Sequence, residues 1–373
     1  MKKIIVVAGA RPNFMKIAPL MHALAGHKEI ETVLVHTGQH YDVKMSGQFF
    51  EELNIPHPNV NLEVGSASQA VQTARIMERF EKVCLDERPD AVLVVGDVTS
   101  TAACTLVAAK LEIKTIHYEA GLRSRDRSMP EEINRLVTDS ISDLFLTTSV
   151  DADDNLLKEG VPAEKIEMVG NLMIDSLVAN RDKASASVLN FQLLNRDKEI
   201  RFGEDFAKGA YGVMTFHRPG NVDDKASLER LVEIWGEVSN REPLVFPVHP
   251  RTYKNIQAFG LQEKIDAYEH LYFIEPLGYL QFINLVQNAQ FTLTDSGGIQ
   301  EETTYLNLPC LTVRPNTERP VTVWEGSNKL ITIDDILTEV ALILDGKGKC
   351  GHTPKFWDGD AAKRIVAKLE KWL

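Results

Sequence analysis

Along the chain, short runs of β-branched and apolar residues alternate with longer stretches in which apolar positions recur every three or four residues. The runs fall at 4–8, 33–36, 91–95, 115–118, 144–147 and 166–169, and again at 211–216, 244–248, 271–274, 291–294 and 310–313. An apolar run of that length, separated from the next by an amphipathic helical segment, is the mark of a parallel strand in a βαβ unit. Two series of such units predict an α/β protein with two doubly wound sheets. Residues 177–210 read as charged, helical in propensity and free of strand signal, so they separate the series. The boundary is placed near Asp175, giving Rossmann-like domains over 1–175 and 176–359. In the segment 360–373, Ile365, Leu369 and Leu373 lie four apart, and this apolar stripe must pack on something. The expectation is that the last helix returns to the first domain.

Composition adds limits rather than detail. A chain of 373 residues exceeds what one hydrophobic core usually serves, which agrees with two domains. At 44% hydrophobic and 25% charged it reads as globular. No apolar run approaches the roughly 18 residues that span a bilayer, so no membrane partner is expected. The chain enters a strand directly after Met1-Lys2-Lys3 with no export signal, which predicts the cytoplasm. Cys84, Cys104, Cys310 and Cys350 stand far apart, without CxxC spacing or a zinc-type His cluster, so they are expected to be reduced and no metal is expected. A net charge of −12 excludes broad nucleic-acid binding, and an anionic ligand would need a local basic site.

Ligands of open parallel sheets bind at the carboxyl ends of the strands, and those ends carry the candidate chemistry. The first strand leads into Gly9-Ala10-Arg11-Pro12-Asn13-Phe14-Met15-Lys16, where Arg11 and Lys16 bracket a helix start that attracts anions. It has neither P-loop nor GxGxxG glycine spacing. A second strand ends in Gly96-Asp97-Val98-Thr99-Ser100-Thr101, and the next in His117-Tyr118-Glu119-Ala120-Gly121-Leu122-Arg123. A third acid follows in Pro130-Glu131-Glu132-Ile133-Asn134-Arg135, with Pro130 opening a helix. Asp97, Glu119 and Glu131 would crowd one sheet edge, and crowding raises at least one pKa to suit proton transfer at carbon. In the second series, Thr215-Phe216-His217-Arg218-Pro219-Gly220-Asn221 brings a His-Arg pair to a strand end, as a diphosphate would require. Thr294-Asp295-Ser296-Gly297-Gly298-Ile299-Gln300-Glu301-Glu302 offers backbone N–H groups at a helix start and a carboxylate one turn later. Asn316-Thr317-Glu318-Arg319-Pro320 adds a further cation.

These motifs, in this order, resemble the non-hydrolysing UDP-N-acetylglucosamine 2-epimerases from Gly9 to about Arg319. The resemblance implies the glycosyltransferase-B architecture, with two Rossmann-like domains flanking the active site and a C-terminal helix crossing back to the first. It implies interconversion of UDP-N-acetylglucosamine and UDP-N-acetylmannosamine through a 2-acetamidoglucal, with no cofactor, in a homodimer that supplies cell-surface polysaccharide synthesis. Asp97, Glu119, Glu131 and His217 would be catalytic. Arg11, Lys16, Phe282, Ser296, Gly297, Gly298, Glu302 and Arg319 would bind substrate, Phe282 at the uracil, Ser296 to Gly298 at the phosphates and Glu302 at the ribose. The retained GD-x-T-S-T, EAGLR and PEE-x-N-R patterns favour epimerisation over net hydrolysis. A 2-epimerase of a UDP-diacetamido uronic acid, or a glycosyltransferase of the same architecture, is the alternative. Many bacterial relatives also bind a second UDP-N-acetylglucosamine as an activator next to a Gln-His pair. Here Gln39-His40 continues as Tyr41-Asp42-Val43-Lys44, so a weakened activator site is expected.

Overall fold

The computed structural model describes residues 1–38 and 50–373, so Gln39-His40 and Tyr41 to Lys44 lie outside the described residues. The chain divides into two units, one formed by Met1–Ala179 with Lys355–Leu373 and the other by Asn180–Pro354. Among the described residues no helix is long and apolar enough to cross a membrane.

Among the described residues the first unit holds seven parallel strands: β1 (Lys2–Ala8), β2 (Ile30–His36), β3 (Val60–Asn61), β4 (Ala91–Val95), β5 (Lys114–Tyr118), β6 (Leu144–Thr147) and β7 (Ile166–Met168). Their order is β3-β2-β1-β4-β5-β6-β7. The second unit has a small antiparallel hairpin, β8 (Asn190–Gln192) and β9 (Glu199–Arg201), followed by β10 (Gly212–Thr215), β11 (Leu244–Pro247), β12 (Leu271–Ile274), β13 (Phe291–Thr294), β14 (Cys310–Val313) and β15 (Asn328–Ile331). Those six are parallel in the order β12-β11-β10-β13-β14-β15. In both sheets the winding reverses beside the first strand, between β1 and β4 and between β10 and β13. Such a switch point opens a crevice at the carboxyl ends, because the loops on its two sides run apart.

The central strands are apolar because helices cover both faces. β4 reads Ala-Val-Leu-Val-Val and is buried throughout, as is β13. In the second unit Met214, Phe246, Phe273, Leu293 and Leu311 pack with Leu231 and Trp235 of the helix Lys225–Ser239.

Three features differ from the sequence expectations. Residues 177–210 are not free of strand, since β8 and β9 pair there. Leu189, Leu193, Ile200 and Phe206 are buried with Tyr211 and Tyr272, so a few well-placed apolar residues anchor strands too short to show a pattern. Asp175 lies inside the continuous helix Leu172–Ser185, and the units part at Ala179/Asn180 and Pro354/Lys355 rather than near 175 and 359. The edge strands β3 and β15 carry no run because each presents polar positions, Asn61 and Lys329, to solvent. The last helix, Ala361–Trp372, buries Ile365 and Leu369 and packs on the first helix, Arg11–Leu24. The Asp175 carboxylate accepts its first N–H groups, from Ala361 at 3.1 Å and Ala362 at 2.7 Å.

Candidate active site

In the first unit, α1 (Arg11–Leu24) starts at the carboxyl end of β1. The side chain of Arg11 lies outside the described atoms. Asn13 accepts the N–H groups of Gly9 and Ala10 at 3.0 Å each and donates to the Val95 carbonyl at 3.1 Å, which ties the ends of β1 and β4 across the switch point. Lys16, one turn on, is 6% exposed and forms an ion pair with the Glu119 carboxylate. Glu119 is 3% exposed and holds a left-handed backbone, φ 72°, a conformation that costs a residue with a Cβ on the order of 1–3 kcal/mol. Its N–H donates to the Leu146 carbonyl at 2.9 Å. A Cβ on Gly96 would stand 3.3 Å from Glu119 Oε2 and 3.5 Å from Lys16 Nζ, so glycine there gives the pair its room.

Asp97 follows directly and pairs with the buried guanidinium of Arg135, while Asn134 Nδ2 donates to the Asp97 carbonyl at 2.9 Å. Both partners come from α2 (Pro130–Ile141). Two acids of that helix have contrasting surroundings. Glu132 accepts from the Ser124 and Arg125 N–H groups at 2.9 Å each and from Arg135. Burial opposes its charge, but these donors hold its carboxyl below the usual range. Glu131 is half-buried and, among the described residues, no hydrogen bond or ion pair anchors it. Asp139, deeper in the helix, accepts from Gly121 N–H at 3.1 Å, pairs with Arg123 at 2.7 Å and lies 2.6 Å from His117 Nδ1. The arginine of the EAGLR loop therefore serves the loop. Crowded carboxylates were the sequence expectation for this edge. The structure instead gives two of the three a buried cation, Lys16 for Glu119 and Arg135 for Asp97, which relieves the repulsion.

In the second unit, Asp295 directly follows β13, is fully buried and gathers the end of β10. It accepts the His217 N–H at 3.1 Å, the Arg218 N–H at 2.9 Å and Asn221 Nδ2 at 3.1 Å, and lies 3.2 Å from His217 Nδ1. The His217 ring is 40% exposed. Partial burial and the positive charges of Arg218, Arg251 and Arg314 lower its pKa, against the pull of Asp295. Asp295 is a residue whose role sequence alone does not give, and its one signal there is its place between Thr294 and Ser296 at a strand end. Helix α3 (Gly297–Leu306) begins beside it, with Ser296 N–H donating to Thr294 Oγ1 at 2.9 Å. No side chain bonds the first turn from Ser296, and such N–H groups suit an anion.

A Cβ on Gly297 would lie 2.8 Å from Glu318 Oε1 and 2.9 Å from Arg319 Nη1, so this glycine admits their close approach. Arg319 pairs with Glu318 and, at 3.1 Å, with Glu301. Arg314 reaches Glu318 at 2.9 Å. Burial resists the Glu318 charge, yet Arg319 and Arg314 hold that carboxyl well below the usual range. Arg319, expected from sequence to face phosphate, thus already neutralises two acids. Glu302 is 3% exposed, and burial together with the neighbouring Glu301 pushes its pKa up to about 8. Phe282, on the helix Tyr279–Gln287, is half-buried against the cluster containing Leu285 and Val286.

Comparison with known proteins gives concordant results. A family model described as UDP-N-acetylglucosamine 2-epimerase matches residues 22–370. A Methanococcus maripaludis protein named UDP-N-acetylglucosamine 2-epimerase homolog is 45% identical over 371 residues, covering 98% of this chain and 99% of its own. The UDP-N-acetylglucosamine 2-epimerase of Methanocaldococcus jannaschii is 40% identical over 373 residues, with 98% of each chain covered. The crystal structure of the M. jannaschii UDP-GlcNAc 2-epimerase in complex with UDP-GlcNAc and UDP superposes with a TM-score of 0.87 over 100% of both chains, at 40% identity.

Proposed function

The chain belongs to the UDP-N-acetylglucosamine 2-epimerase family and is an epimerase of that sugar nucleotide, and from this premise we propose how its residues divide the reaction. The C2 hydrogen of the sugar has no adjacent carbonyl to acidify it, so direct deprotonation is slow. Loss of UDP from C1 removes that difficulty. A carboxylate takes the C2 proton, the C–H electrons become the C1=C2 bond, and the C1–O bond breaks with its electrons going to the β-phosphate. Addition of the same phosphate oxygen to C1, with a proton delivered to the other face of C2, yields the epimer. Each step balances without an oxidant.

Asp97, Glu119 and Glu131 are the proton-transfer set. Two are fixed by Arg135 and Lys16, and Glu131, unanchored, is free to follow the moving proton. The observation that carries this assignment is the buried Lys16–Glu119 pair on a left-handed Glu119 backbone beside Gly96-Asp97, since strain held at a sheet's switch point marks a working site. His217 and Arg218, held by Asp295, and the first turn of α3 at Ser296, Gly297 and Gly298 receive the diphosphate, with Arg11 as a further substrate contact. Glu302 takes the ribose hydroxyls, Phe282 the uracil, and Arg319 shapes the phosphate end through Glu318. By family membership the reading extends to a homodimer in the cytoplasm, and sedimentation equilibrium checks the dimer.

The test is proton NMR of UDP-N-acetylglucosamine with purified protein in heavy water. The C2 proton is expected to exchange for deuterium as UDP-N-acetylmannosamine appears, with nothing else added. Free N-acetylmannosamine as the main product, or a C2 position that keeps its hydrogen, would reject the reading.

A further inference from the structure

We propose that His117 is a positioning residue for proton transfer, its Nε2–H holding the Gly96 carbonyl so that the next residue, Asp97, presents its carboxylate in one orientation. The inference rests on the assignment of Asp97 to the proton-transfer set.

The first sheet brings the groups together. β4 and β5 are parallel neighbours with His117 opposite Val94, which sets the histidine beside the loop that leaves β4 at Gly96. His117 is fully buried, and both ring nitrogens meet acceptors: Nδ1 lies 2.6 Å from Asp139 Oδ1, and Nε2 lies 2.8 Å from the Gly96 carbonyl. A carbonyl oxygen has no proton to give, so Nε2 is the donor in that bond. Asp139, on α2, orients the ring, and its second oxygen accepts the Gly121 N–H at 3.1 Å and pairs with Arg123 at 2.7 Å. An imidazole held in this way is a fixed donor aimed at a single peptide.

The surroundings explain why that peptide needs a holder. The Gly96–Asp97 peptide carries the Gly96 carbonyl on one side and the Asp97 Cα on the other, so its rotation swings the Asp97 side chain. Gly96 has a left-handed backbone, φ 71°, and a glycine changes its dihedral angles at less steric cost than other residues. Its N–H donates to the Tyr118 carbonyl at 3.0 Å, which fixes the peptide plane before it, and His117 fixes the plane after it. Beyond that plane, Asn134 Nδ2 donates to the Asp97 carbonyl at 2.9 Å and Arg135 pairs with the Asp97 carboxylate. Asn134, Arg135 and the Asp139 behind His117 all belong to α2, so one helix sets the Asp97 loop through three side chains. Without the His117 bond, Arg135 would hold a carboxylate whose own peptide can turn. A displacement of about 1 Å at a reacting group is enough to slow a reaction about 100-fold.

The experiment compares two replacements that each keep one of the histidine's nitrogens. The amide nitrogen of asparagine falls where Nδ1 stands and can still reach Asp139, whereas that of glutamine falls where Nε2 stands and can still donate to Gly96. His117→Asn is expected to lower kcat for epimerisation by about tenfold or more, with KM and UDP affinity within about twofold of the parent, and His117→Gln to recover most of that loss. On an Asp97→Asn background, His117→Asn should add little, because an absent carboxylate needs no orienting. Equal turnover in the two His117 variants, a loss carried by KM or UDP affinity, or the full loss repeated on the Asp97→Asn background overturns the proposal while leaving the Asp97 assignment intact. Near-normal turnover in Asp97→Asn overturns that assignment itself. Should His117→Asn fail to fold, nitrogen NMR of the isotope-labelled, unmodified enzyme decides: a proton on His117 Nε2 is expected, and a bare Nε2 overturns the proposal.

Discussion

Lys16 and Glu119 form an ion pair at 6% and 3% exposure within the first unit, although 103 residues separate them in sequence. Removing one partner of such a pair strands the other charge in a desolvated place, which typically costs about 3–5 kcal/mol. Glu131, half-buried and unanchored, has no comparable structural burden.

Stability and turnover should therefore separate among the three acids. Asp97→Asn, Glu119→Gln and Glu131→Gln are each expected to slow epimerisation by about 100-fold or more, the scale of a lost acid or base. Urea unfolding should show a loss of several kcal/mol for Glu119→Gln but a smaller one for Asp97→Asn, where Arg135 keeps Glu132 at 2.8 Å, with Glu131→Gln within about 0.5 kcal/mol of the parent. Near-normal turnover in any variant removes that residue from the proton-transfer set.

Glu302 predicts a pH dependence of stability. Its carboxyl is raised from 4.5 to about 8 in the folded state, so between those values the folded protein holds a proton that the unfolded chain has lost. The stabilisation is complete below pH 4.5 and fades as pH rises toward 8, by up to about 1.4 kcal/mol per pH unit. Glu302→Gln, which cannot ionise, should gain stability relative to the parent as denaturation is repeated from pH 5.5 to 8. Parallel curves for the two proteins would contradict the burial argument.

His217 titrates below its ordinary range because partial burial and three arginines disfavour the imidazolium. At neutral pH the ring is uncharged, so any acid limb of kcat/KM that belongs to it lies below the usual histidine range. His217→Gln should remove that limb and weaken UDP binding. A limb that persists in the variant belongs to another group.

Asp175 caps the last helix through the Ala361 and Ala362 N–H groups. Asp175→Ala is expected to cost about 1–2 kcal/mol, as for other caps, and to speed amide exchange in 361–372. Uniform exchange rates in parent and variant would show that packing of Ile365 and Leu369 alone holds the helix.

The sequence exposed the sheets more readily than the site's wiring. β4, β6, β12, β13 and β14 coincide with apolar runs because burial on both faces leaves an unbroken pattern, whereas Val60–Asn61 and the 190–201 hairpin are too short to show one. Glu119 and Asp97 stood out as acids at strand ends. Their pairings did not, because Lys16 is 103 residues from Glu119 and Arg135 is 38 from Asp97, and only the topology brings them together. Arg319 illustrates the converse. Its charge was visible, but its commitment to Glu301 and Glu318 depends on a close approach at Gly297 that no spacing encodes.

The return of Lys355–Leu373 to the first unit bears on how the protein is made. A ribosome delivers chains N-terminus first, and domains usually fold in that order. Here the second unit, Asn180–Pro354, is continuous and can complete its sheet while the tail is still being synthesised. The first unit emerges earlier yet lacks the helix that lies on α1 until residues 361–372 are made. The order of completion is thus reversed. During that interval the nascent first unit presents an uncovered helix face, the kind of surface that chaperones hold, and a message truncated before residue 355 would yield a finished second unit joined to an unfinished first.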